Sequence, residues 1–332
     1  MQDLRCDENP GMHRYCDTRG VPELVDAIVE RARERCGVAY ERESVLVAAG
    51  ATGGLAAAVG AILEPGEEVL ILAPFWPLIR GIVQAFRGEP VEVPFYDRVD
   101  SAAAAVDAVR ERITDRTVAL YVSTPSNPTG VVLPEDWLAA LAELARREGL
   151  WLLSDEVYED FVYSGRHHSL APMAPERTLS VYSFSKAYGM AGNRVGYLIG
   201  PEQAVGEARK ISTHTFYAAP TAGQQAALRA LRDGAAWVKS ARELYREAGR
   251  DAAEQLGQPA PAGSTFLFLD VSHRLDARGV SGFLADCFED GVLVAPGGSS
   301  GQAYTEWVRV CYTAAPPEQV RDAVSRLAKR FR

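Results

Sequence analysis

Apolar residues recur at helical spacing through PELVDAIVERARE (22–34), where Pro22 suits a first turn. The same spacing returns in PEDWLAALAELARRE (134–148), a strongly two-faced stretch. GLAAAVGAIL (54–63) reads as a buried helix that stops at Pro65-Gly66, and IRGIVQAF (79–86) and AVDAVRERI (105–113) also read as helices. Between them lie short apolar runs: VLILAP (69–74), VALYVSTP (118–125), LWLLSDE (150–156), TLSVYSFS (178–185) and VGYLIG (195–200), with VEVPF (91–95) extended. Strands that alternate with helices predict an α/β unit whose mostly parallel sheet is sandwiched by helices. After residue 220 the pattern changes. Two long helices, PTAGQQAALRALRD and WVKSARELYREAGRDAAEQL, precede a strand (TFLFLDV), a helix (SGFLADCFEDG), two short strands (VLVAP and EWVRVCYTA) and a last helix (PPEQVRDAVSRLAKRF). This predicts a large domain over 18–220 and a smaller α+β domain over 221–332, with segment 1–17 packing near the smaller one.

Composition narrows the function. The chain has 332 residues, 47% hydrophobic and 24% charged, which is ordinary for a globular protein. A net charge of −9 argues against a nucleic-acid partner, because nothing would neutralise phosphates over a surface. No apolar run reaches the roughly 18 residues of a membrane-spanning helix, so no membrane partner is expected. The start, MQDLRCDENPG, is polar and lacks the apolar core of a signal peptide. The five cysteines are odd in number and scattered, without C-x-x-C, which favours a reduced cytoplasmic protein without structural zinc. His167-His168 reads as an exposed loop pair rather than a metal site.

In an open α/β sheet, ligands gather at the carboxyl ends of the strands. Five stretches stand at such ends. AAGATGGLAAA (48–58) opens a helix from a small-residue turn. Its free N–H groups, with the Thr52 hydroxyl, make an anion site, although any Ala-rich helix start looks similar. In APFWPLI (73–79), Trp76 lies between two prolines, placed to stack on a planar ligand or simply to pack the loop. In STPSNPTG (123–130), a turn fixes the Asn127 amide. In LLSDEVYEDFVY (152–163), Asp155 ends an apolar strand, a costly place for an unpaired acid, and Tyr158 follows within reach; an acid at a helix start is the plainer alternative. In VYSFSKAYGMAGNRVGY (181–197), Lys186 sits between a strand and a Gly-rich turn that leads to Arg194. Ser183 to Lys186 also matches S-x-x-K, but the S-D-N and K-T-G elements of the serine acylases are absent from the sequence.

Taken together, S-N-P-T-G, S-D-E-V-Y and S-F-S-K-x-x-G-x-x-G-x-R-x-G-Y resemble a fold-type I pyridoxal-phosphate enzyme of the class I/II aminotransferase family. The resemblance runs from about Asn9 to the last helix and continues in PTAGQQAAL (220–228), GVLVAPGGSSG (291–301) and WVRVCYTA (307–314). It implies a sheet of the seven-stranded type, pyridoxal 5'-phosphate as cofactor, and amino-acid and 2-oxo-acid substrates. Lys186 is implied as the Schiff-base lysine and proton carrier, and Asp155 as the partner of the pyridine nitrogen. Asn127 and Tyr158 are implied as donors to the ring oxygen, and Trp76 as the stacking ring. Gly50, Ala51, Thr52, Ser183 and Arg194 are implied to hold the phosphate, and Arg309 the substrate carboxylate. YCDTRGVPEL (15–24) resembles the segment whose tyrosine reaches a neighbouring subunit's phosphate, so Tyr15 implies a homodimer with shared active sites. DENPG (7–11) resembles the loop that closes over substrate, with Asn9 near it.

Three departures from the family pattern stand out, the first bearing on substrate closure and the dimer and the other two on the side-chain pocket. The N-terminal arm that usually embraces the partner subunit looks trimmed. His214-Thr215-Phe216-Tyr217 replaces small polar residues, and Gly298-Ser299-Ser300 lacks an aromatic that many relatives carry. Trp76, Tyr217 and the Tyr15 region point to an apolar or aromatic substrate side chain. The expected reaction is ping-pong amino transfer. β-Elimination (C–S lyase), cyclisation or oxidation on the same cofactor stays open, because the same lysine, acid and phosphate cup serve them all.

Overall fold

In the computed structural model, residues 10–331 are described. The strands are β1 (Val45–Ala48), β2 (Glu68–Ala73), β3 (Glu89–Pro94), β4 (Thr117–Ser123), β5 (Trp151–Asp155), β6 (Thr178–Ser183), β7 (Gly196–Ile199), β8 (Phe266–Asp270), β9 (Ala295–Pro296) and β10 (Trp307–Cys311). The helices are α1 (Pro22–Cys36), α2 (Gly50–Ile62), α3 (Leu78–Ala85), α4 (Ala102–Arg110), α5 (Glu135–Glu148), α6 (Glu202–Thr215), α7 (Thr221–Asp233), α8 (Ala235–Gln255), α9 (Gly279–Glu289) and α10 (Pro317–Ala328). No described helix is long and apolar enough to cross a membrane.

The seven-stranded sheet has the order β1-β7-β6-β5-β4-β2-β3. Only β7 runs against its neighbours, β1 and β6. The carboxyl ends of the other six strands and the amino end of β7 therefore share one rim. The inner strands are mostly apolar because both faces are covered, and their residues alternate between the two sides, whereas edge strand β3 (EPVEVP) keeps Glu89 exposed. On β4, Ala119 and Tyr121 join the layer of α2, α3 and α6, while Leu120 and Val122 join that of α4 and α5. The α5 helix shows how sequence sets the layer. Glu135 and Asp136 in its first turn and Arg146 and Arg147 in its last oppose the helix dipole, and Gly149 closes it at φ 72°. Its inner face buries Leu138, Leu141 and Leu144, and truncating any of these to Ala would cost about 2–5 kcal/mol.

A second, antiparallel sheet has the order β8-β10-β9. One face packs Leu267, Leu269, Val308 and Val310 against α8, α9 and α10. On the other face, Phe268 and Trp307 pack against the large-sheet core, and Arg309 lies opposite Phe268 in register.

Two elements were not expected. The run that forms β1 is four residues long and too short to stand out, and EQAVGEARKISTHT carries a diluted helical pattern that forms α6. The run VLVAP pairs only at its last two residues, Ala295 and Pro296. The α7 helix buries Ala227 and Leu228 with α1 rather than with the small sheet.

Candidate active site

Loops after β1, β2, β4, β5 and β6, and the segment before β7, bring the expected residues to the shared rim. A cavity of about 150 Å³ is lined there by Ala51, Thr52, Trp76, Asn127, Asp155, Tyr158, Ser183, Lys186 and Arg194, together with Leu55, Val157, Ser185 and Ala191.

The sequence builds each corner for a physical reason. Gly50 opens α2 at φ 74°, where a side chain is strained, and a Cβ there would collide with the Arg194 guanidinium. Glycine thus lets Arg194 lie against the helix start, where its Nη2 donates to the Ala49 carbonyl at 3.3 Å. Arg194 itself is left-handed, at φ 50°, which turns the chain back into β7. Gly196 must be small, since a Cβ would sit 2.5 Å from the Ala51 nitrogen. Ser183 Oγ accepts from the Ser185 N–H at 3.0 Å. Two hydroxyls, a guanidinium and a helix N-terminus therefore converge, a donor set for a dianion.

At the opposite end stands Asp155, the last residue of β5 and only 5% exposed. Its Oδ2 accepts from the Tyr121 hydroxyl at 2.6 Å and its Oδ1 from the Val157 N–H at 3.3 Å. Burial pushes its carboxyl up to about 6, against the pull of the Tyr121 and Val157 donors and of Lys186. Burial lowers the proton affinity of Lys186, and nearby Arg309 and Arg194 lower it further, while Cys311 and Asp155 oppose. The Lys186 ammonium lies 5.6 Å from the Tyr158 ring centre. The Tyr158 phenol is held protonated by burial. Arg309 reaches in from β10: its Nη1 donates to Asn127 Oδ1 at 2.9 Å and its guanidinium stacks 4.5 Å from the Phe266 ring centre.

Two expected residues lie apart from this cluster. Tyr15 is 89% exposed, with its ring edge-on to Tyr217 at 5.1 Å, and does not line the cavity of its own chain. Asn9 falls outside the described residues. The expectation for His167-His168 is corrected. His167 is largely buried, and its Nε2 meets the carboxylate of Glu156 at 2.8 Å. Glu156 is wholly buried and also accepts from Ser154, Ser169, Ser180 and Tyr182. A buried carboxylate needs such partners, and one histidine of the loop is drawn in to supply a charge. Tyr121 was missed as well. Its signal was a hydroxyl-bearing ring in the middle of an otherwise apolar run, which needs a buried partner.

The donor set fits a phosphorylated pyridine aldehyde: an anion cradle at one end, a carboxylate at the other, an amine between, and an indole at the wall. Comparison with known proteins agrees. The family model for aminotransferase class I and II matches residues 2–327. The aspartate/prephenate aminotransferase of Thermus thermophilus is 36% identical over 330 residues, 96% of this chain and 83% of that protein. The arginine–pyruvate transaminase of Pseudomonas aeruginosa is 32% identical over 96% of this chain and 82% of its own length. Among solved structures, a double mutant of Thermus thermophilus aspartate aminotransferase superposes with a TM-score of 0.89 at 34% identity, covering 97% of this chain and 85% of the other. N-Succinyldiaminopimelate aminotransferase from Mycobacterium tuberculosis gives 0.88 at 30% identity, covering 97% and 86%. The chain belongs to the class I and II aminotransferase family and is a pyridoxal-phosphate-dependent enzyme that moves an amino group between an amino acid and a 2-oxo acid.

Proposed function

We propose that the rim cavity is the site of this reaction and that Lys186 is the residue joined to the cofactor aldehyde. The observation that carries the reading is the convergence of Lys186, Asp155, Asn127, Tyr158 and Arg194 on one cavity, with Arg309 bonded to Asn127. When bound, pyridoxal phosphate supplies an electron sink for the bond electrons released at the substrate Cα. Arg194, Ser183, Thr52 and the N–H groups of Gly50 and Ala51 at the start of α2 bind the phosphate. Asp155 holds a negative charge beside the ring nitrogen and keeps a proton there. Trp76 covers one ring face. Asn127 Oδ1 already accepts from Arg309, so its NH₂ is left to donate to the ring oxygen, and the Tyr158 hydroxyl donates beside it. Arg309 clamps the substrate carboxylate through its planar fork. Lys186, with its lowered proton affinity, would hold and release a proton at Nζ, taking it from the substrate Cα.

An apolar or aromatic amino donor is the substrate reading, supported by Trp76 at the cavity wall and by the Tyr15–Tyr217 pair. An acidic donor is the second reading, supported by the names of the Thermus relatives. The exposed Tyr15 ring supports a homodimer in which each subunit lends this residue to the other's phosphate. Four free cysteines among the described residues support a reducing, cytoplasmic setting. The two separate sheets support two units, and α7 (Thr221–Asp233), packed with α1 on the large-domain side, supports a boundary after α7 rather than at residue 220. A screen of amino donors against 2-oxo acids, with product analysis, tests the reading. The expected products are a 2-oxo acid and the aminated cofactor, whereas ammonia with pyruvate would contradict it.

A further inference from the structure

The Tyr121 hydroxyl has no role in the reading above, yet it makes the shortest polar contact that Asp155 has. Tyr121 lies on β4 and is fully buried, and its ring packs in the α2-side core. On β4 it stands level with Leu153 of β5, two residues short of Asp155, and on the same face of the sheet. Its Oη donates to Asp155 Oδ2 at 2.6 Å, a length typical of a hydroxyl held on an ionised carboxylate.

We infer that Tyr121 is a positioning residue for the proposed cofactor acid: it occupies Oδ2 of Asp155 with a donated hydrogen bond, holds the carboxylate ionised, and leaves Oδ1 to face the ring nitrogen.

The geometry leaves Tyr121 one role. Burial and the neighbouring Asp155 charge drive its own ionisation far above the ordinary phenol value, so it is a donor throughout the working range. The Asp155 side chain sits among several other titratable groups. Lys186 lies across the cavity, Tyr158 is on its own loop, and Tyr96 approaches from the loop after β3, where its hydroxyl is already bonded to the Ser123 carbonyl at 2.6 Å. Glu156 is next in sequence but is bound up with His167 and three serine hydroxyls. Of these, only Tyr121 donates a side-chain hydrogen bond to Asp155. The Val157 N–H is the other donor, and at 3.3 Å it is the weaker one. An ionised carboxylate this buried and with so few donors would otherwise take up a proton, and a neutral acid cannot keep the ring nitrogen protonated.

The inference rests on the proposed role of Asp155, so the test has one arm that needs no cofactor. Tyr121→Phe removes one oxygen and keeps the ring that fills the core. In the cofactor-free protein, infrared difference titration of the Asp155 carboxyl, assigned with Asp155→Asn, should show its midpoint rise by about one unit in Tyr121→Phe. Fluorotyrosine at position 121, a stronger donor, should move it down. An unmoved midpoint in both variants would overturn the inference whatever the cofactor does. In the loaded enzyme, Tyr121→Phe should lower kcat about ten-fold with KM within two-fold, keep the visible band, and shift the pH dependence of that band. A moved carboxyl midpoint with unchanged kcat and an unchanged band titration would refute the link to the ring nitrogen, while Lys186→Ala separately tests whether the cofactor is bound here at all.

Discussion

Replacing Arg309 by alanine tests the substrate side of the site. The side chain is half-buried on β10 and held in place twice, by its bond to Asn127 Oδ1 at 2.9 Å and by its stacking on Phe266 at 4.5 Å. Both contacts fix the guanidinium before substrate arrives, so little order is lost when a carboxylate binds. Truncation removes a charged, forked donor from a partly dry site and strands the incoming carboxylate. The usual loss for one partner of such a pair is about 2–5 kcal/mol. At tenfold per 1.4 kcal/mol this is roughly a 30- to 4,000-fold drop in kcat/KM for the amino acid. The assay compares the amino acid with the amine that has the same side chain but no carboxylate. Single-turnover reaction of the loaded enzyme should fall by that factor for the amino acid and stay nearly constant for the amine. Arg309→Lys should lie between, since charge remains but the fork is lost. A change below ten-fold for the amino acid, or an equal loss for both compounds, would refute the carboxylate role.

Asp155→Asn should keep the cofactor bound but cut turnover about 100-fold or more, measured as steady-state kcat beside cofactor content; near-normal turnover would remove the electrostatic role given to this acid. Gly50→Ala forces a side chain into a left-handed position, costing about 1–2 kcal/mol, and pushes Arg194 from its seat, so cofactor Kd by fluorescence titration should rise; an unchanged Kd would contradict the cradle. Glu156→Ala leaves a buried histidine and several hydroxyls without their acceptor and should destabilise the fold by about 3–5 kcal/mol in urea unfolding. In the unaltered protein, Glu156 ionises below its ordinary 4.5, so its contribution is present above that pH and fades as acid passes its folded value. His167 is raised above 6.5, so its contribution is complete below 6.5 and fades as pH climbs through its folded value. The urea midpoint should therefore carry the full contribution of this pair between about 4.5 and 6.5, and Glu156→Ala should flatten that part of the profile; an unaltered profile would contradict the pairing.

Much of the rim was legible because its residues sit on strong local signals. Asp155 ends an apolar run and Asn127 and Lys186 stand at turns after apolar runs, so the sequence placed them at strand ends, while Gly50 was marked only as a helix start because β1 before it is too short to read. Contacts between distant strands were not legible. That Tyr121 would meet Asp155 depends on β4 and β5 lying side by side in a particular register, which no local pattern encodes. Glu156 and Asp155 are adjacent acids, and the two-residue period of a strand sends them to opposite faces, one into the cavity and one to His167. The α6 helix was overlooked because its apolar stripe is thin; the wall it covers is supplied by α2, against which it packs.

The most direct test is mass spectrometry of the purified protein after incubation with pyridoxal phosphate and reduction with borohydride. The account predicts one reduced cofactor adduct, on the peptide that carries Lys186, with loss of the visible band in Lys186→Ala. An adduct on another lysine, or none at all, would contradict it.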